Sequence, residues 1–188
     1  MPCHSLAEDE AMAGLVISKF KIPFAKVDLT PVFDTFIGAA GKGPSIAEAN
    51  LKPRLRMMTL YYFATRLDYL VAGTGNKSEL FTGYFTKYGD GGVDLLPLGG
   101  ILKTEVRALA QELGVPQEVI QRPPSAGLWE GQTDEGELGI SYEELDRIIA
   151  ALEAGDTTKC RPEAVARVKE LHECSAHKRS LPPMFIPQ

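Results

Sequence analysis

Cysteine is scarce in this chain. Cys3, Cys160 and Cys174 are the only ones in 188 residues, and no two stand in a CxxC pattern. That spacing argues against a disulfide framework and fits a reducing compartment. Long apolar runs are lacking too: none approaches the ~20 residues a membrane span needs. The opening Met1-Pro2-Cys3-His4-Ser5 has neither the basic nor the apolar region of a secretory signal, so a cytoplasmic location is the expectation. A basic excess is the third absence, since 20 Lys and Arg stand against 25 Asp and Glu, for a formal net charge of −5. A nucleic-acid binder would show a dominant basic footprint, so any anionic ligand must be met by local cations. No internal repeat or low-complexity segment interrupts the chain, and 44% hydrophobic with 24% charged residues is the composition of an ordinary soluble globule. Its length suits a single domain, 1–188, with room for a core that needs no disulfide or metal.

Polar chemistry is concentrated between Gly73 and Asp94. Gly73-Thr74-Gly75-Asn76-Lys77-Ser78-Glu79 follows directly on the apolar run Tyr69-Leu70-Val71-Ala72, as if a buried strand delivered polar groups to one loop. In open parallel α/β sheets ligands sit beyond the carboxyl ends of strands. Gly73 and Gly75 would remove side-chain bulk there, and Ser78 would cap a helix from Glu79 onward, making a helix start that attracts phosphate. The continuation through Thr82-Gly83-Tyr84-Phe85-Thr86-Lys87-Tyr88-Gly89-Asp90 to Asp94 mixes Lys, Asp, glycines and aromatics before a further apolar run. Few surface loops need that combination.

Elsewhere the pattern alternates. An amphipathic helix is expected over Ser5–Phe20, with Glu8, Asp9 and Glu10 near the positive end of its dipole. Phe24 to Leu29 reads as a strand, and Thr30-Pro31 as an N-cap followed by proline at the first helical position. After the glycine-rich Gly38–Pro44, Ser45 caps one helix towards Asn50 and Pro53 opens a second through Arg66. Arg54 then lies near a helix start, where a cation opposes the dipole; it is either solvated or offset by a bound anion. Lys103 stands in the same position on the helix expected over Lys103–Leu113. Two such cations suggest phosphate more than either does alone. From Arg122 to Gly139 apolar periodicity is lost, and a loop of that length is usually functional or disordered. Helices return at Ser141-Tyr142-Glu143-Glu144, a capping-box pattern, and at Pro162–Cys174. The order of elements implies an α/β fold with a mostly parallel sheet and helices on both faces.

Arg54-Leu55-Arg56-Met57, Gly73 to Glu79, Thr82 to Asp94, Gly139-Ile140-Ser141-Tyr142 and His177-Lys178-Arg179 together resemble the ammonia-dependent NAD synthetases. That family has the Rossmann-like adenine nucleotide alpha hydrolase fold of the N-type ATP pyrophosphatases. The resemblance runs over essentially the whole chain. It implies a two-step amidation: the nicotinate carboxylate of deamido-NAD is adenylated by ATP with release of pyrophosphate, and ammonia then displaces AMP to give NAD. No covalent nucleophile is required, so the protein would supply positioning and charge stabilisation. By similarity, Thr74, Lys103 and Ser125 would contact ATP, and Glu79 would ligate Mg2+, a hard cation suited to a carboxylate and phosphates. Arg54, Lys87, Asp94, His177 and Lys178 would hold deamido-NAD. Ser125 stands where the family commonly has threonine, which keeps the hydroxyl. The segment Ser125–Gly139 resembles a mobile one that orders over the substrates. Family members are homodimers, and the apolar helix Leu55–Phe63 is a plausible interface as well as a plausible core element.

One departure is large. The family opens with a strand and a Ser-Gly-Gly-x-Asp-Ser loop that grips pyrophosphate, and these 188 residues contain no such motif. The expectation is that the sequence is incomplete at its N-terminus and, as it stands, binds ATP poorly and turns over little. Other readings stay open at this stage. One is a non-catalytic dinucleotide-binding module, and another is an ATP pyrophosphatase that amidates a different substrate. A third is a zinc site from Cys160, His172, Cys174 and His177, although their spacing matches no common zinc module.

Overall fold

The computed structural model describes residues 1–129 and 131–187. Helices dominate it: α1 (Ala7–Phe20), α2 (Thr30–Ala40), α3 (Ser45–Leu67), α4 (Lys77–Thr82), α5 (Lys103–Glu112), α6 (Gln117–Ile120), α7 (Asp134–Leu138), α8 (Tyr142–Ala154), α9 (Pro162–Cys174) and α10 (Ala176–Arg179). Helix α8 is the hub, packing on α4, α5 and α9. Its sequence explains why. Tyr142, Leu145, Ile148 and Ile149 recur at helical spacing and are buried, with Leu138, Ile140 and α9's Ala164, Val165 and Val168 around them. Burying a side chain of this kind contributes about 1.5–3 kcal/mol. A smaller cluster of Cys3, Leu29, Phe33 and Leu55 ties the N-terminal segment to α2 and α3.

The expected sheet is hardly built. Among the described residues the only β pairing outside helices is one parallel bridge, Ala72 to Leu95, with Gly73 N–H donating to Leu95 O at 2.8 Å. Phe24 to Leu29 forms no ladder. The reason is visible in exposure: Phe24 is 69% exposed, Tyr69 69% and Leu70 72%. A ladder needs a strand paired alongside over several residues, and among the described residues the pairing of this stretch is confined to residues 71–73 with Asp94 and Leu95. The Asp94 carboxylate itself takes the Val71 N–H at 2.7 Å.

Three local expectations are also corrected. Ser45–Asn50 and Pro53–Arg66 form one continuous helix, with Pro53 inside it. Ala49, Lys52, Pro53 and Leu55 are all buried, and their packing outweighs the missing backbone bond. Arg54 therefore lies mid-helix, and the dipole argument does not apply to it. Helix α4 is capped by Asn76, not Ser78: Asn76 Oδ1 accepts from Glu79 N, and Glu79 Oε2 accepts from Asn76 N. Helix α2 starts at Thr30 with Leu29 as N-cap, and the Thr30 hydroxyl instead accepts the His4 N–H at 3.1 Å.

Candidate functional site

The capping box of α4 leaves Glu79 with one free oxygen, Oε1, and Lys103 Nζ meets it at 2.9 Å. Both side chains are four-fifths buried. Lys103 is the first residue of α5, held there by its own N–H donating to Ser78 Oγ at 3.0 Å. Ser78 Oγ donates in turn to Asp146 Oδ1. Asp146 Oδ2 accepts both the N–H and the hydroxyl of Thr104 at 2.8 Å. One buried carboxylate on α8 thus locks the starts of α4 and α5 together. It brings Glu79 and Lys103 face to face, with Lys103 Nζ 5.1 Å from the Tyr142 ring centroid.

A cavity of about 480 Å³ opens over this pair, and Thr74 and Ser125 line it with Glu79 and Lys103. A second cavity of about 540 Å³ adjoins it, lined by Asn50, Tyr84, Phe85 and Lys178 among others. Thr74, Tyr84, Asp90 and Ala126 border both. The residues singled out in the sequence for ATP and metal therefore share one cavity. Those singled out for deamido-NAD divide. Lys178 lines the second cavity, and its Nζ donates to Gly83 O at 2.8 Å and Phe85 O at 2.7 Å; burial pushes its pKa down. Arg54 donates to Lys87 O at 3.4 Å, and Lys87 Nζ donates to His177 O, so these three form one exposed patch near the loop. Asp94 stands apart, holding Val71 N–H and, at 3.1 Å, the Tyr61 hydroxyl. Lys178 and Arg179 also cap α4, Arg179 reaching Leu80 O and Phe81 O at 3.2 Å. Cations at a helix C-terminus are stabilising in their own right.

Magnesium was the implied metal. Among the described residues no three His, Cys, Asp or Glu side chains converge on one point. Glu79 nevertheless suits an ion that takes one carboxylate and completes its shell with phosphates and water. The zinc reading fails: His172 Nδ1 bonds Phe81 O at 2.8 Å, its ring lies 4.2 Å from that of Phe81, and no Cys/His cluster forms among the described residues.

The family described as NAD synthase matches residues 1–182. The chain belongs to the NAD synthase family. Its curated relatives include the NH(3)-dependent NAD(+) synthetase of Archaeoglobus fulgidus, 52% identical over 169 residues that make up 90% of this chain and 68% of that protein. The enzyme of the same name from Syntrophomonas wolfei subsp. wolfei is 46% identical over 99% of this chain and 75% of its own length. Among solved structures, the NMN synthetase from Francisella tularensis superposes with a TM-score of 0.87 at 35% identity, covering 96% of this chain and 74% of that one. These likenesses support an NAD synthetase-like fold; of the mostly parallel sheet expected from the sequence, the described residues form one bridge.

Sequence reasoning missed Asn76, Asp146 and Asp134. Asp146 carried a signal, since it lies between Leu145 and Ile148 on the face that Tyr142 and Ile149 bury, where a carboxylate needs donors. Asp134 Oδ1 is a buried side-chain atom without a hydrogen-bond partner among the described residues. Its Oδ2 accepts from the Tyr142 hydroxyl at 3.0 Å, and burial raises its pKa. Nothing in the sequence marked it. Gly73 was read as making room for a ligand, but an added Cβ would lie 2.8 Å from Val93 and Leu96 side-chain atoms. Its smallness serves packing.

Proposed function

We propose that this chain carries out the ammonia-dependent synthesis of NAD from deamido-NAD and ATP. The observation that carries the reading is the meeting of Thr74, Glu79, Lys103 and Ser125 on one cavity that adjoins another at Thr74, in a member of this family. ATP would occupy the cavity over Lys103, its ammonium drawn to the phosphates and the Thr74 and Ser125 hydroxyls in reach of polar atoms. Deamido-NAD would occupy the adjoining cavity, where Lys178 would face its anionic groups; Arg54, Lys87 and His177 would meet those that extend to their exposed patch outside that lining, and Asp94, set apart beside Val71, would contact it farther out. A nicotinate oxygen then attacks the α-phosphorus while the bond to the β-phosphate breaks and pyrophosphate leaves. Ammonia attacks the resulting acyl carbon, AMP leaves with the bonding pair, and the nitrogen gives up a proton. The protein's part is orientation and charge stabilisation. Glu79 would hold Mg2+, which supplies charge neutralisation between phosphates when bound.

We further propose one folded domain, a homodimer and a cytoplasmic setting. The dimer reading is supported by exposed Met58 at 55%, Tyr62 at 62% and Phe36 at 52%. Among the described residues no helix is long and apolar enough to cross a membrane. These 188 residues hold no Ser-Gly-Gly-x-Asp-Ser sequence, and low turnover by them alone is part of the proposal.

The test supplies deamido-NAD, ATP, magnesium and ammonium to the chain, and to a version preceded by a strand and that loop. NAD, AMP and pyrophosphate are measured. Equal formation of the three by the extended version supports the reading, and no NAD from it overturns the reading. A parallel arm with nicotinate mononucleotide addresses the likeness to an NMN synthetase. The nearer identity to NAD synthetases favours the dinucleotide.

A further inference from the structure

We propose that Lys52 is a positioning residue: it fastens the segment from Ser125 to Trp129 onto α3 through the Leu128 carbonyl and so fixes a wall of both cavities. Lys52 is 9% exposed. Its Nζ donates to Leu128 O at 2.7 Å across 76 positions of sequence and lies 6.0 Å from the Phe33 ring centroid. It takes part in none of the ion pairs formed among the described residues. A buried cation is costly unless other groups solvate it; among the described residues Leu128 O is the hydrogen-bond partner that does so, and burial pushes this ammonium's pKa down. Leucine or methionine would fill the same space without that cost, so the charge has a use elsewhere.

The use is at the other end of the hydrogen bond. Leu128 N–H donates to Gln132 Oε1 at 2.8 Å. Gln132 Nε2 donates to Glu137 Oε2 at 2.7 Å, which also accepts the Tyr84 hydroxyl. Lys52 therefore starts a chain of bonds that runs through Leu128, Gln132 and Glu137 and ends at Tyr84, which borders both cavities. Ala126, Leu128 and Trp129 line the larger cavity, and Ser125 and Ala126 line the other. The helix that carries Lys52 also carries Arg54. A hydrogen bond from a cation is among the stronger that a protein makes, enough to decide where an otherwise irregular stretch sits.

Trp129 is the only tryptophan and adjoins Leu128, so its fluorescence reports this bond without any substrate. Lys52→Met, Lys52→Gln and Lys52→Arg are compared with the native chain by acrylamide quenching of Trp129, with far-UV circular dichroism as the control for folding. Trp129 is already 43% exposed, so Lys52→Met is expected to raise its acrylamide quenching from that of a half-exposed indole to that of a fully free one, with a further red shift of its emission. Lys52→Arg, which keeps a donor, should restore the native value. Native quenching in a folded Lys52→Met overturns the proposal. If that variant does not fold, Lys52→Gln, too short to reach the carbonyl, is read in the same way. The consequence for ATP rests on the function proposed above: its dissociation constant should rise about tenfold in Lys52→Met. Raised quenching with unchanged ATP affinity would support the fastening role of Lys52 and count against the ATP assignment of the Lys103 cavity.

Discussion

Replacing Asp146 by alanine tests whether one buried carboxylate organises the site. It accepts three hydrogen bonds, from the Ser78 hydroxyl, the Thr104 N–H and the Thr104 hydroxyl. Asp146 is 3% exposed and Ser78 is fully buried, so water cannot readily replace what is lost. A buried donor left without a partner costs about 1–3 kcal/mol. The Thr104 hydroxyl can turn elsewhere, while the Ser78 hydroxyl and the Thr104 N–H are held by the starts of α4 and α5. Two stranded donors give ~2–6 kcal/mol of destabilisation, a large share of the ~5–15 kcal/mol typical of a whole domain. Asp146→Asn keeps one acceptor oxygen and should lose roughly half as much. Urea unfolding followed by circular dichroism measures both, with an unchanged m-value as the sign that stability alone has moved. Because Ser78 Oγ also receives the Lys103 N–H, loosening it should separate Lys103 from Glu79 and weaken ATP binding by calorimetry. A loss in Asp146→Ala below ~1 kcal/mol, within the range of an ordinary net hydrogen bond, would refute the reasoning.

Glu79→Gln should keep the fold, because its one amide oxygen can still accept the Asn76 N–H of the α4 capping box while Lys103 loses its partner, yet abolish the magnesium dependence of ATP binding, as a calorimetric titration with and without the metal would reveal. Asp134→Asn should raise stability at neutral pH. The raised pKa of Asp134 means that its protonated form favours the fold, so its stabilising contribution is complete below the unfolded value of ~3.9 and is lost as pH rises through the folded value. The melting-temperature gap between the variant and the native protein should therefore close on acidification; a gap that widens at low pH contradicts the sign. Gly83→Ala should be destabilising by about 2 kcal/mol or more, since Gly83 has φ +69° and a Cβ there would lie 2.1 Å from that of Ser175. Thermal denaturation would register it.

Periodic apolar residues and local end signals could be read directly from the sequence. The helices at Ala7–Phe20, Lys103–Glu112, Tyr142–Ala154 and Pro162–Cys174 fall close to where spacing and caps place them, because 3.6-residue periodicity and N-caps are local properties. Ser141 does accept the Glu144 N–H at 3.3 Å, though the Glu144 carboxylate goes to Arg161. Family membership was also carried by short runs such as Gly73–Glu79, whose residue types at fixed spacing survive without coordinates.

What the sequence could not decide were partners distant in the chain. It showed that Ser78 is a polar residue near a helix start, but not that Asn76 takes the cap and frees Ser78 for Asp146, 68 positions away. It suggested strands at Phe24–Leu29 and Tyr69–Ala72, yet a strand exists only beside a neighbour, and a single bridge is what the tertiary arrangement supplies. It gave Arg54, Lys87 and Asp94 equal standing, and packing alone separated Asp94 from the other two. Local propensity is written residue by residue, whereas pairing, burial and the facing of charges depend on which segments pack together, and that packing is a property of the whole fold.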